Sequence, residues 1–373
     1  MLDMVFRRRL ADVLARVRAE NICIVKPSAL GDIVQSLPLL PVLRERFPEA
    51  RISWVVKSQF ADLLVDHPFL DEVLAIDMRG GWWCWTQLLR DMRRCRFDLV
   101  FDLQGLMRTA LIMLASGAEV RVGLETAREG APWFTNCLIP GTTKDVPAHA
   151  RYWRIAECLG MGSRSPTTVL GLGEDEQQWA RQTVGLSNRV VVAIHPGAAW
   201  TTKQWPPEKF VSLAQRIRQA LDASIILVGA ENEQGLGDHI EQSLRAENAE
   251  FPIRNLVGAT SLKQLAALLA RVDSLVSNDS GPMHLAAGMG TPVLGIFTCT
   301  SPRRSGPPGD QHEFVAAGVD CAASYRKACP HRGSKHMACL RELTVERVWA
   351  AFERLVQKNR LGAPNPPAPR YLV

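Results

Sequence analysis

Along most of the chain, short apolar runs of strand length alternate with segments whose apolar residues recur every three or four positions. Asn21–Lys26 reads as a buried strand and Val34–Phe47 as the helix that follows it. Arg51–Val56, Glu72–Ile76 and Phe97–Leu103 read as further strands separated by helix-length segments. A short strand at Glu119–Val122 and a helix over Ala148–Leu159 complete this series. Gly160–Asn188 carries little pattern. A second series then begins, with strands at Arg189–Ile194, Ser224–Val228, Asn255–Val257, Asp273–Ser277 and Thr291–Phe297. Helices are expected at Pro207–Ala220, Glu231–Ala246, Leu262–Ala270 and from Pro282. Strand–helix alternation means a parallel sheet with right-handed crossovers, and here it occurs twice. The expected fold is α/β: two Rossmann-like, doubly wound parallel-sheet domains facing a central cleft at the carboxyl ends of their strands.

The same pattern suggests domain limits. A basic amphipathic N-terminal segment covers residues 1–20, a first Rossmann-like domain 21–165, a linker 166–188 and a second Rossmann-like domain 189–342. A C-terminal helix follows at 343–360, and the Pro-rich tail 361–373 is expected to be disordered. A length of 373 residues agrees with two cores.

Composition narrows the class only slightly. Hydrophobic residues make up 47% and charged residues 22%, as in an ordinary globular protein. A formal net charge of +6 fits an anionic ligand, an acidic membrane surface or nucleic acid, and does not choose among them. The nine scattered cysteines read as reduced thiols. No run approaches the ~20 apolar residues that cross a bilayer, and Arg7–Arg9 lack a following secretory core, so a cytoplasmic protein is expected.

Three polar turns carry candidate chemistry. In Lys26-Pro-Ser28-Ala-Leu30-Gly31-Asp32 a strand ends and a helix begins, which places a carboxylate at the top of the sheet. Asp32 there is either a helix cap or a general base. Lys26 meets a ligand or pairs with Asp32. In Ser277-Asn-Asp279-Ser280-Gly281-Pro282-Met-His284 another strand gives way to a helix with Pro at its start. The backbone N–H groups of Ser280 and Gly281 suit a diphosphate. His284 is either part of that site or a hydrogen-bonded core histidine. Between these turns lies His195-Pro-Gly197, followed by Lys203-Gln-Trp205-Pro206. Gly197 admits close backbone approach, and Lys203 is a point charge suited to phosphate or a solvated surface residue. No G-x-G-x-x-G follows the first strand, no G-x-x-x-x-G-K-[ST] occurs, and nucleic-acid modules are absent. Hydride transfer with a nicotinamide cofactor, P-loop phosphoryl transfer and nucleic-acid partners all lose specific support.

Together these segments resemble glycosyltransferase family 9, the bacterial lipopolysaccharide heptosyltransferases. The family's K-x-S-x-L-G-D is matched by Lys26, Ser28, Leu30, Gly31 and Asp32. Its H-P-G and K-x-W-P are matched by His195–Gly197 and Lys203–Pro206, and its D-[ST]-G-x-x-H-L-A-A by Asp279–Ala287. Phe101–Gly105 is similar to the D-x-Q-G segment and Thr300–Gly309 to the T-x-P-x-R-x-G-P-x-G loop. The match runs in order over roughly residues 21–350.

The resemblance implies a GT-B fold and an inverting transfer without a catalytic metal or cofactor. The donor would be an ADP-linked heptose and the acceptor the lipid-linked inner core of lipopolysaccharide. Asp32 would be the general base, and Lys203 with the Ser280–Gly281 helix start would stabilise the leaving ADP. His195, Gly197, Thr202, Glu231, Asp279, Ser280, Gly281 and His284 would hold the donor. Lys26, Ser28, Gln104, Arg108 and Arg128 would face the acceptor. An Asp with an ordinary pKa of about 4 is a weak base, and Lys26 beside it would weaken it further, so alignment carries the larger role. The chain departs from the family at Ala198 and Ala199, where a hydroxyl is frequent; Thr201 and Thr202 are candidates to supply it.

Weaker features leave alternatives open. Cys321, Cys329 and Cys339, with His331 and His336 nearby, lack paired C-x-x-C spacing, and similar cysteines recur in the family without implying a metal. Leu2–Val17 forms an amphipathic pattern that either docks on its own domain or contacts the anionic inner face of the membrane. Trp82, Trp83 and Trp85 are either core or acceptor-side residues, and Arg121 joins Arg108 and Arg128 as an acceptor-side arginine. Another nucleotide sugar, or a non-catalytic sugar-nucleotide-binding protein, are the competing functions.

Overall fold

A computed structural model describes residues 14–77, 80–185 and 190–362. The chain forms two compact units, one reaching Gly171 and the other starting at Leu172. Each has a six-stranded, all-parallel sheet.

In the first unit the strands are β1 (Asn21–Val25), β2 (Arg51–Lys57), β3 (Glu72–Ile76), β4 (Leu99–Asp102), β5 (Val120–Leu124) and β6 (Cys137–Ile139). They lie in the order β3-β2-β1-β4-β5-β6. The central strands are buried on both faces, which is why Ile22–Val25 and Leu99–Phe101 are unbroken apolar runs. One core face joins Cys23, Val25, Val55, Val100, Ile112 and Met113 to Leu88 and Met92 of the Gly81–Arg94 helix. The second unit contains β7 (Val191–His195), β8 (Ser224–Leu227), β9 (Ile253–Asn255), β10 (Ser274–Asn278), β11 (Val293–Phe297) and β12 (Glu313–Ala316). Their order, β12-β11-β10-β7-β8-β9, is the same winding. The Val345–Asn359 helix adds Val348, Ala351, Phe352 and Leu355 to this unit's core.

Strand order reverses between β1 and β4 in the first sheet and between β7 and β10 in the second. Ligands of open α/β sheets bind at such switch points, beyond the carboxyl ends of the strands. Lys26 follows β1 and Gln104 follows β4; His195 ends β7 and Asp279 follows β10. The sequence motifs therefore fall at the two switch points.

Several details differ from the sequence reading. The helix expected over 34–47 is two helices, Leu30–Ser36 and Leu39–Arg46, because Pro38 has no N–H to continue the first. Glu231–Glu233 is a single 3₁₀ turn before the Gln234–Glu247 helix. Within the patternless 160–188 stretch, Glu174–Val184 is a helix packed against the Leu262–Leu269 helix. The segment just before it is fixed to the first unit: His67 Nε2 lies 2.9 Å from the Val169 carbonyl, and a Cβ on Gly171 would collide with the Asp66 carbonyl. Most of the 1–20 segment and the 363–373 tail lie outside the described residues. Among those described, no helix is long and apolar enough to cross a membrane.

Candidate active site

The first unit's cluster is built on the exit from β1. Lys26 continues the sheet through its N–H to the Val55 carbonyl, and its side chain is buried. Its ammonium crosses the switch point to the Leu103 carbonyl (3.3 Å) and meets Asp32 Oδ2 at 3.2 Å. Asp32 sits in the first turn of the Leu30–Ser36 helix, whose N-cap is Ala29 with no side-chain cap bond. Asp32 is therefore not the N-cap residue. Oδ1 instead accepts a hydrogen bond from Tyr152 Oη at 3.3 Å, and Asp32 keeps about a third of its side-chain surface exposed.

Electrostatics assign the charges. Burial alone would lower the Lys26 ammonium, yet the Asp32 carboxylate and Tyr152 outweigh it and hold the group above its ordinary value. Tyr152 is pushed up to about 12 by burial and by the Asp32 charge, so it remains a donor. Asp32 is thus flanked by an ammonium on Oδ2 and a hydroxyl donor on Oδ1.

Across the switch, Asp102 shapes the Gln104 turn. Its Oδ1 accepts the Gln104 and Gly105 N–H groups at 3.0 and 2.9 Å, and its Oδ2 accepts Thr109 Oγ1 at 2.9 Å. Burial nevertheless keeps this carboxyl above its usual range. Gly105, at φ +65°, lies so close to Ala127 that a Cβ would sit 2.8 Å from its Cα. Asp102 is therefore a turn builder, and Gln104, half-buried, follows the Leu103 carbonyl that Lys26 reaches. Ser28 is half-buried, whereas Arg108 and Arg128 are exposed, the latter 3.9 Å from Glu129. Arg121 does not fit the acceptor role: its guanidinium donates to the Phe134 and Ala118 carbonyls and braces β5.

In the second unit, β7 and β10 place His195 directly opposite Ser277. His195 is buried, with Nδ1 2.9 Å from Ser280 Oγ and Nε2 3.2 Å from Glu233 Oε2. Burial would raise the Glu233 carboxyl, but the hydrogen bonds from His195 and from the Ala230 N–H hold it below its ordinary value. A Cβ on Gly197 would collide with that carboxylate, which explains the glycine of the H-P-G turn. Glu231 is exposed on the same 3₁₀ turn.

Asn278 ties the motifs together. Its Nδ2 donates to the Pro196 carbonyl (2.7 Å), and its Oδ1 accepts the Trp205 N–H (3.2 Å). The lysine turn is thereby held against β10, where Lys203 Nζ pairs with Asp279 Oδ2 at 2.8 Å and lies 4.6 Å from the centre of the Trp200 ring. Lys327 approaches the same ring at 5.8 Å. The Gly281–Gly288 helix starts at this point, and the N–H groups of a helix's first turn have no partner within the helix. Its N-cap Ser280 makes no side-chain cap bond, because its hydroxyl is used on His195. His284 is buried in this helix.

Thr202 does not supply the free hydroxyl expected of it. Its Oγ1 donates to the Arg326 carbonyl at 2.8 Å and is buried; Thr201 beside it is exposed. Sequence reasoning also missed Tyr152, Glu233 and Asn278. The cysteines 321, 329 and 339 are free thiols, and among the described residues no three His, Cys, Asp or Glu side chains form a metal-holding group.

The sequence model of glycosyltransferase family 9 (heptosyltransferase) matches residues 85–335, about two thirds of the chain. The chain belongs to this family. Family 9 membership makes it a glycosyltransferase, and the motif order along the chain agrees. It is 27% identical over 299 residues to the lipopolysaccharide core heptosyltransferase OpsX of Haemophilus influenzae, covering 80% of this chain and 84% of that one. It is 26% identical over 342 residues to lipopolysaccharide heptosyltransferase 1 of Pseudomonas aeruginosa, with 84% and 88% covered. In fold it is similar to the E. coli ADP-heptose lipopolysaccharide heptosyltransferase II, with a TM-score of 0.73, 23% identity and 91% and 99% of the two chains covered. It is also similar to E. coli WaaC solved with ADP-2-deoxy-2-fluoro heptose, at a TM-score of 0.65, 22% identity and 90% and 99% coverage. These likenesses identify the two sheets as a GT-B fold.

Proposed function

We propose that this family 9 enzyme transfers a heptose from an ADP-heptose donor to the inner core of a lipid-linked lipopolysaccharide acceptor, with inversion at the anomeric carbon. The observation that carries the reading is the Lys203–Asp279 ion pair at the start of the Gly281–Gly288 helix, at the second sheet's switch point. A cation, a conformationally fixed turn and a helix N-terminus together match a diphosphate. The heptosyltransferase names of the relatives support the sugar, and the solved complex of WaaC supports the nucleotide.

The chemistry divides between the units. Asp32 takes the proton of the acceptor hydroxyl as that oxygen bonds to the anomeric carbon. The bond from that carbon to the diphosphate oxygen breaks, and its electron pair leaves with ADP. Lys203 and the Ser280–Gly281 helix start stabilise the charge that grows there, so no metal is assigned to the step. His195, fixed by Ser280 and Glu233, Gly197, Asp279 and His284 line the donor side; Thr202 braces the lysine turn and Glu231 is the candidate for the ribose or sugar hydroxyls. Lys26, Ser28, Gln104, Arg108 and Arg128 serve the acceptor side.

Tyr152 is assigned as a positioning residue for Asp32. Tyr152→Phe removes one hydrogen bond to the carboxylate and should lower kcat about five- to tenfold with donor KM unchanged. The acidic limb of the rate profile should move to higher pH, because a donor that favours the ionised form is lost. An unchanged kcat and an unmoved acidic limb would remove Tyr152 from the mechanism. The donor is tested by thermal shift with ADP, UDP and GDP sugars. ADP-heptose should stabilise the protein most, and preference for a UDP or GDP sugar would sink the nucleotide assignment.

A further inference from the structure

Five of the seven large hydrophobic side chains exposed among the described residues fall on three successive helical elements of the first unit. Trp82 and Trp83, each 63% exposed, open the Gly81–Arg94 helix. Leu111 and Leu114, 46% and 45% exposed, lie on the Met107–Ala115 helix, and Trp133, 85% exposed, lies on the 3₁₀ turn Ala131–Phe134. The two helices pack on each other, and the 3₁₀ turn packs on the second of them.

These residues are not misplaced core. Trp85, Leu88 and Met92 of the first helix and Ile112 and Met113 of the second already face the core, as does Phe134 next to Trp133. The outward positions are apolar in addition. Met107, Leu111 and Leu114 follow a spacing of four and three and share one helix face. A Cβ placed on Gly130 would lie 2.8 Å from Met107 Cε and 3.3 Å from Trp133 Cε3, so both side chains lie against Gly130 and the stripe continues toward Trp133. Trp82 and Trp83 stack on each other at 4.1 Å instead of entering the unit.

The surroundings are cationic. Arg90, Arg93 and Arg94 are exposed further along the tryptophan helix, with Arg90 and Arg94 on the same side as Trp83 at spacings of seven and four. Arg108 is exposed on the leucine helix, and against these four the two helices carry one acidic residue, Asp91. Aliphatic side chains at the centre, tryptophans beside them and arginines at the margin match the layers of an anionic bilayer surface: hydrocarbon, interface and phosphate.

We infer that this apolar face of the first unit, centred on Leu111, Leu114 and Trp133, docks the enzyme on an anionic phospholipid surface. The inference extends the proposed function, whose acceptor is lipid-linked. The measurement needs neither donor nor acceptor, so the two readings fail separately.

The test is co-sedimentation of the full chain with phosphatidylcholine vesicles, with and without phosphatidylglycerol, at low and high salt. Binding should require phosphatidylglycerol and weaken with salt. The triple variant Leu111→Ser/Leu114→Ser/Trp133→Ser should lower the partition coefficient roughly tenfold or more. Arg90→Glu/Arg93→Glu/Arg94→Glu should bind as weakly at low salt as wild type does at high salt. Both variants should unfold cooperatively at the wild-type melting temperature, which shows that they fold. The inference is overturned if the wild type does not sediment with anionic vesicles, or if both variants bind like it. It is equally overturned if binding is lost only on deleting residues 1–18, or if the apolar variant abolishes a concentration-dependent dimer and leaves vesicle binding intact.

Discussion

Replacing Asp32 by Asn should lower kcat by about 10²- to 10⁴-fold, the range contributed by a positioned general base. The amide keeps the carboxylate's shape and can still accept from Tyr152 or Lys26, so the loss should fall on turnover. ADP affinity should stay within about twofold, because Asp32 belongs to the first unit and Lys203 and the Gly281 helix start to the second. Thermal stability should fall as well, since Lys26 is only 3% exposed and loses its ionised partner. Rates must therefore be normalised to folded protein. Retained turnover would falsify Asp32 as the base.

The second large effect is expected at Lys203. Lys203→Ala should reduce kcat by about 10²- to 10³-fold through loss of charge stabilisation at the diphosphate, and should weaken ADP binding. It also leaves Asp279, 6% exposed, without its cation, a change of the kind that destabilises by about 3–5 kcal/mol. The double variant Lys203→Met/Asp279→Asn separates the two consequences. Denaturant unfolding should show most of the lost stability restored, whereas turnover should remain low. If the double variant regains activity together with stability, the lysine is only a strut for Asp279 and the phosphate role is wrong.

What the sequence made legible follows from how each element is stabilised. Central parallel strands are buried on both faces, so Ile22–Val25, Val191–Ile194 and Val293–Phe297 appear as unbroken apolar runs, and both windings could be read. The edge strands β6 and β12 span three and four residues and carry no such run. The Glu174–Val184 helix buries only Ala180, which leaves almost no periodic signal; its acidic first turn, Glu174, Asp175 and Glu176, was the available clue. In the site, contiguous motifs brought out Lys26, Asp32, Lys203 and Asp279. Tyr152 stands 120 positions from Asp32 in a helix that looked like ordinary packing, and only tertiary structure joins them. Glu231 and Glu233 were equally visible after β8. Which of them turns toward His195 is decided by the 3₁₀ turn, which places Glu233 beside Gly197 and leaves Glu231 exposed.

The buried Lys26 has a consequence for the catalytic cycle as a whole. If Asp32 accepts the acceptor's proton as proposed, an ammonium held above its ordinary value then lies 3.2 Å from a neutral acid. Such a neighbour makes the acid eager to give the proton up. On the proposed mechanism the lysine would weaken the base at the moment of attack and hasten its recovery afterwards, so that proton return to solvent should not limit repeated turnovers.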